Sequence, residues 1–253
     1  MHECLTRRTV VGGGLLAALA GGCGHGVTSA RGAVLCYHDI ADVPYTLWCR
    51  TPEILEEDFR LLRSSPIAIL PLDTYVDSFV SRRPLPERWA VITFDDATAG
   101  QFRHARSLLR KFGFSATFYV PTQWVVDRRG EFPDSEPAMS IDQLRLMISD
   151  GHQIAPHSNT HPRFTELDDE KVRHEIETSV RFLFDHFGVR SRDFCLPYGL
   201  YLPRHEALLL EAGMRSVALT GTDHGPGASA LVKVRRFEVL QTMTSAHVLQ
   251  NFL

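Results

Sequence analysis

Two hydrophobic periods alternate along the chain from about residue 33 onward. Short runs of apolar and β-branched residues at 33–37, 67–70, 90–94, 115–120, 152–155, 193–196, 216–219 and 234–239 read as strands. Between them, apolar residues recur three and four apart. Ile54, Leu55, Phe59 and Leu62 mark one helix (53–63), and a second follows at 74–80. Phe102, Ala105, Leu109 and Phe112 mark the next, with Gly113 placed as a C-terminal cap. Ser140 and Gln143 form a capping box ahead of Leu144, Met147 and Ile148. The longest stripe starts near Thr165, carries Val172, Ile176, Val180, Leu183 and Phe187 on one face, and stops at Gly188. A further helix is expected over 203–212. Strand and helix alternate about seven times with short links, which predicts a single α/β domain over residues 33–253. Its parallel sheet is expected to be closed or nearly closed, a distorted (β/α)7-type barrel.

The first residues stand outside this pattern. Arg7 and Arg8 precede an apolar run from Val10 to Ala20 that is too short and too glycine-rich to span a membrane. Small residues then lead to Cys23. Residues 1–22 are therefore expected to be an export signal, Cys23 a lipidated first residue and 23–32 a tether, with the twin-arginine pattern at Thr6–Val10 agreeing. That predicts an exported, membrane-anchored lipoprotein of the cell envelope.

With 253 residues, 44% of them hydrophobic, the chain can bury a sizeable core. A net charge of −3 with no basic block beyond the first residues argues against nucleic acid as a partner. No CxxC pair occurs, which disfavours a cysteine zinc site; one disulfide among Cys36, Cys49 and Cys195 remains open.

The candidate chemistry lies at strand ends. The run 90–94 finishes on Asp95-Asp96, two adjacent carboxylates that repel one another unless a cation lies beside them. His157 and His161, four apart, can converge on one ion from a helical turn or a tight loop. H-x-x-x-H alone is a weak signal in a chain with twelve histidines, but joined to a strand-terminal carboxylate it makes a ligand set with open positions. Pro197-Tyr198-Gly199 ends a third strand.

Thr93-Phe94-Asp95-Asp96, His157-Ser158-x-x-His161-Pro162 and Pro197-Tyr198-Gly199, in this order, resemble the polysaccharide deacetylases of carbohydrate esterase family 4. The resemblance implies that Asp96, His157 and His161 hold a divalent metal, with zinc expected and cobalt, nickel or iron open. It implies Asp95 as the general base toward the attacking water and the Tyr198 backbone N–H as oxyanion donor. Pro197, Tyr198 and Asp223 are expected to contact substrate. The general acid is assigned to His38, at the end of the first strand. That placement is similar to the permuted exopolysaccharide deacetylase lipoproteins, whereas His247 falls in a helical pattern. The family's motif arginine is replaced here by Cys195, and Arg235 or Arg236 on the last strand is the candidate substitute. The implied substrate is an N-acetylated polysaccharide such as poly-N-acetylglucosamine, with peptidoglycan, chitin oligomers and acetylated xylan as alternatives. A catalytically silent carbohydrate-binding protein and an O-acetyl esterase are the competing functions. Trp48 and Trp124 are either sugar-stacking or core residues, and His104, His174, His186 and His205 are expected on helices away from the chemistry.

Overall fold

Every ladder of the sheet is parallel, as a chain of strand–helix repeats requires. The computed structural model describes residues 30–131, 135–220 and 229–252. The expected export signal, Cys23, the tether up to residue 29 and Asp223 lie outside the described residues. The strands are β1 (Arg31–Tyr37), β2 (Ala68–Ile69), β3 (Arg88–Phe94), β4 (Thr117–Val120), β5 (Gln153–Pro156), β6 (Asp193–Cys195), β7 (Ser216–Thr220) and β8 (Val232–Glu238). The helices are α1 (Pro52–Ser64), α2 (Leu72–Val80), α3 (Arg106–Phe112, led by a π-helical turn Gln101–Ala105), α4 (Thr122–Asp127), α5 (Ile141–Ser149), α6 (Asp169–Phe187), α7 (Pro203–Glu211) and α8 (Ser245–Phe252).

Seven strands run in the order β5-β4-β3-β1-β8-β7-β6, with the short β2 added beside β3. The sheet curls so that β5 and β6 adjoin, giving the nearly closed barrel expected. Each expected strand is found within two residues of its predicted limits. The long helix begins later than expected, at Asp169. Phe164–Glu166 forms a separate 3-10 turn, and the Asp168 side chain accepts from the Lys171 N–H as the cap. The short α4 carries no sequence periodicity long enough to reveal it.

Alternation along the strands sorts the side chains. Val34, Val91, Tyr119, Ala155, Cys195, Ala218 and Val234, one from each of the seven strands, pack together in the barrel lumen. Leu72, Tyr75 and Val76 of α2 join them and close the floor. The opposite parity (Leu35, Ile92, Phe118 and Ile154 on one side, Phe194 and Val217 on the other) packs outward against the helices. Extending the inward parity toward the C-terminal strand ends predicts His38, Asp95, His157 and Arg236 on the lumen side, at the open mouth where parallel α/β folds place their chemistry.

The segment after β1 is fixed by a fully buried guanidinium. Arg50 donates to the Asp58 carboxylate of α1 (2.8 Å) and to the carbonyls of Leu240 (2.6 Å) and Met243 (3.0 Å), tying the cleft-side loop to the approach to α8. Asp58→Ala should leave this charge buried and unpaired, lowering stability by about 3–5 kcal/mol in urea denaturation.

Candidate active site

Asp95 sits at the base of the open mouth, buried, and is gripped by a bidentate ion pair. Arg236 donates from Nη1 to Oδ1 (2.5 Å) and from Nη2 to Oδ2 (2.7 Å). Sheet order makes this possible: β1 lies between β3 and β8, so Val34 is in register with both Val91 and Arg236. Nη2 also lies 3.0 Å from Cys195 Sγ, and Nη1 lies 3.3 Å from the Thr93 hydroxyl. The small thiol of Cys195 thus leaves room for a guanidinium arriving from β8. Arg236 is the substitute for the missing motif arginine, and Arg235, of opposite parity, faces out and is exposed. Burial would raise the Asp95 carboxyl, but the Arg236 charge, with His157 and His38 nearby, outweighs it and holds Asp95 well below the usual carboxylate range.

Asp96 turns away from the strand with φ 72°. Its Oδ1 lies 3.6 Å from His161 Nε2 and 3.9 Å from His157 Nε2, and the two imidazole nitrogens are 3.3 Å apart. These three residues offer one ligand atom each within 4.8 Å of one another. Asp96 Oδ1 is buried without a hydrogen-bond partner. An unpartnered carboxylate oxygen facing two imidazole nitrogens is the donor set a divalent cation takes, so the residues fit a metal. His157 Nδ1 lies 3.0 Å from the Cys195 carbonyl across the β5–β6 seam. A carbonyl only accepts, so Nδ1 carries the proton and Nε2 keeps its lone pair for the ion.

The two histidines project from a tight loop, one of the two geometries the spacing allowed. Ser158 and His161 both have positive φ, and Ser158 Oγ accepts from the His161 N–H at 2.9 Å. Glu175 of α6, buried, accepts from the amides of Asn159 (2.8 Å) and Thr160 (2.7 Å) and from the Thr160 hydroxyl (2.7 Å). It anchors the loop, and its place among the charged residues of an amphipathic helix gave no sequence sign of that role. Gln101 does similar work on the other side, donating from Nε2 to the carbonyls of Asp95 (2.5 Å) and His38 (3.0 Å).

His38 Nε2 lies 3.9 Å from Asp95 Oδ2. Burial lowers the imidazole to about 4, against the pull of Asp95 and with Arg236 and His161 adding to the effect. Tyr198 adopts φ 60°, and the neighbouring Gly199 and Leu200 amides are consumed by turn bonds to Leu196 and Pro197 that do not use its own N–H. Gly199 is required: φ is +64°, and a Cβ there would lie 2.6 Å from the Thr220 nitrogen. Pro197, the first residue of this turn, is buried and does not line the cleft, so the substrate contact expected of it is not available to its side chain.

A cleft of about 530 Å³ opens over Asp95, Asp96, His38, His157 and His161, flanked by Trp48 and Tyr45 on one side and by Tyr198, Arg163 and Glu131 on the other. Trp48 is 42% exposed at the rim, whereas Trp124 is 2% exposed and packs on the His161 ring at 4.8 Å, a core role. His247 lies on α8, which packs on α1, and His104, His174, His186 and His205 lie on helical segments outside the cluster. Cys36, Cys49 and Cys195 are buried free thiols, so no disulfide joins them. Glu131, in the polar loop after α4, lines the cleft wall.

The polysaccharide deacetylase family model matches residues 82–217, more than half of the chain. Chitin deacetylase 1 of Cryptococcus neoformans var. grubii is 26% identical over 53% of this chain, which spans only 26% of that protein. The Streptococcus pyogenes deacetylase PplD, solved with acetate, superposes with a TM-score of 0.78 at 17% identity, covering 88% of this chain and 99% of its own. A de-N-acetylase from Aggregatibacter actinomycetemcomitans gives 0.74 at 18% identity, covering 88% and 100%. At these identities the two structures establish a shared fold.

Replacing Arg236 by Lys keeps a charge but removes the fork. The Asp95 carboxyl should then rise toward its ordinary range, so the acid limb of the kcat/KM profile should move to higher pH, with kcat/KM down roughly tenfold or more. Arg235→Gln should stay within about twofold of the parent in the same assay.

Proposed function

Because the chain belongs to the polysaccharide deacetylase family, we propose that this cleft is a metal-dependent hydrolase site that removes N-acetyl groups from an amino-sugar polysaccharide. Poly-N-acetylglucosamine is the substrate favoured. The observation that carries this reading is the meeting of Asp96, His157 and His161 at one point, with Asp95 and His38 beside it at the mouth of one barrel. The names of the chitin deacetylase and the de-N-acetylase similar to this chain support acetylated amino sugars as the substrate class.

Asp96, His157 and His161 would hold the ion, with zinc expected. When bound, such an ion polarises the scissile carbonyl and acidifies the attacking water. Asp95, kept ionised and aimed by Arg236, takes the water proton as oxygen attacks the acetyl carbon. The Tyr198 N–H, left out of the turn's own bonds, donates to the oxyanion as it forms. A leaving amine needs a proton before the C–N bond breaks. His38, half-buried in the cleft, is neutral at neutral pH and must receive one first; Asp95 Oδ2, 3.9 Å from Nε2, is the source at hand. Acetate and a free amine leave, and Asp95 and His38 return to their starting protonation. Trp48, 42% exposed at the rim, offers an apolar face to a sugar ring.

The protein is further proposed to act outside the cytoplasm as a lipoprotein, a reading supported by the Arg7-Arg8 pair, the apolar run and Cys23. Among the described residues no helix is long and apolar enough to cross a membrane.

Metal-loaded protein incubated with N-acetylglucosamine oligomers should release acetate and free amine in equal amounts. Asp95→Asn should cut release by about 100-fold or more, and chelation should abolish it until zinc is restored. Acetate without amine from acetylated xylan would indicate an O-acetyl esterase; oligomer binding without release would indicate a silent binding protein. Cys23→Ala should move the exported protein from the membrane fraction to the soluble fraction, and unchanged membrane association would refute the lipid anchor.

A further inference from the structure

His161 uses both ring nitrogens, on opposite sides. Nε2 faces Asp96 and His157, while Nδ1 lies 3.2 Å from Oε2 of Glu131. The other oxygen of the same carboxylate accepts from the Tyr198 hydroxyl at 3.0 Å. The Tyr198 ring packs on His161 at 4.8 Å and carries the Arg163 guanidinium 4.4 Å from its own centre. We propose that Glu131 is a positioning residue that fixes the His161 ring for ion binding and ties it to the turn bearing the oxyanion donor. This rests on the reading of Asp96, His157 and His161 as metal ligands and adds a residue to it.

His161 Nδ1 makes no aligned hydrogen bond among the described residues, but the carboxylate 3.2 Å away can only accept, so Glu131 favours the tautomer with hydrogen on Nδ1 and leaves the Nε2 lone pair toward the ion. His157 meets the same requirement through the Cys195 carbonyl, part of the rigid sheet. His161 has no strand behind it: it lies in a loop at positive φ, and the carboxylate beside its Nδ1 belongs to a side chain 27% exposed at the cleft wall. Trp124 packs on the same ring, so contacts on its faces and its Nδ1 edge hold it in place. Through the Tyr198 hydroxyl the same carboxylate also restrains the turn whose backbone N–H is the proposed oxyanion donor. Ligand and oxyanion donor are thus linked through one side chain.

The test is competition for zinc between the full-length protein and a chromophoric chelator, for the parent, His161→Ala, Glu131→Gln and Glu131→Ala, with metal-free Tm as the folding control. Glu131→Ala should bind zinc about 10–100-fold more weakly at unchanged metal-free Tm. Glu131→Gln should fall between, since its amide oxygen still accepts from Nδ1, and it decides the matter if the alanine variant is unstable. In a kinetic cycle, Tyr198→Phe should cost less kcat in the Glu131→Ala background than in the parent. Parent-like zinc affinity in both Glu131 variants, with His161→Ala deficient, overturns the positioning role and leaves the metal reading standing. Equal affinity in the parent and His161→Ala overturns both. Additive kinetic losses overturn the link to Tyr198.

Discussion

The buried pair of Asp95 and Arg236 is the interaction on which this site depends. Both charges are out of water, where either alone would cost several kcal/mol, and the fork of the guanidinium satisfies both carboxylate oxygens at once. The rest of the lumen is arranged to allow this. Below the pair, apolar side chains of all seven strands and of α2 exclude water. Beside it stand small neutral groups that add weak bonds: the Cys36 and Cys195 thiols donate to Asp95 Oδ2 (3.5 and 3.8 Å), and the Thr93 hydroxyl accepts from Arg236 Nη1 (3.3 Å). Above it the cleft opens.

Adjacent carboxylates on one strand end are divided by environment. Asp95 is held ionised by its cation. Asp96, pushed up to about 7 by burial, with Asp95 and Glu131 adding to the effect and His161 opposing it, has its Oδ1 unpartnered among imidazole nitrogens. On the proposed reading, the first is the ionised base toward water and the second a ligand to the metal ion. The change of φ from the strand to 72° at Asp96 sends the two side chains in different directions.

Backbone strain gathers at this mouth. Asp96, Ala97, Ser158, His161 and Tyr198 all take positive φ, a conformation costing of order 1 kcal/mol or more for residues with a Cβ. Polar groups from other elements brace these segments: buried Gln101 across the ends of β1 and β3, buried Glu175 beneath the histidine loop, and half-buried Glu131 between His161 and Tyr198. Loops supply the reacting groups, while helices and strands fix the loops.

Much of this was legible along the chain because its signals are local. Strand and helix periods, the Asp95-Asp96 step, the His157–His161 spacing and the Pro197-Tyr198-Gly199 turn each lie within a few residues, and side-chain parity follows directly from the strand repeat. Partners distant in sequence were not legible in the same way. The last strand offers two adjacent arginines, and only its pairing with β1 in the closed sheet turns Arg236 inward and Arg235 out. Glu175 reads as one more charge on an amphipathic helix and Glu131 as loop polarity, until the barrel brings them to the histidine loop. The sequence by itself determined the elements and the reacting residue types, since those depend on neighbours one to four positions apart. The tertiary structure alone decided which distant charges meet them, because burial and sheet order are properties of the whole closed barrel.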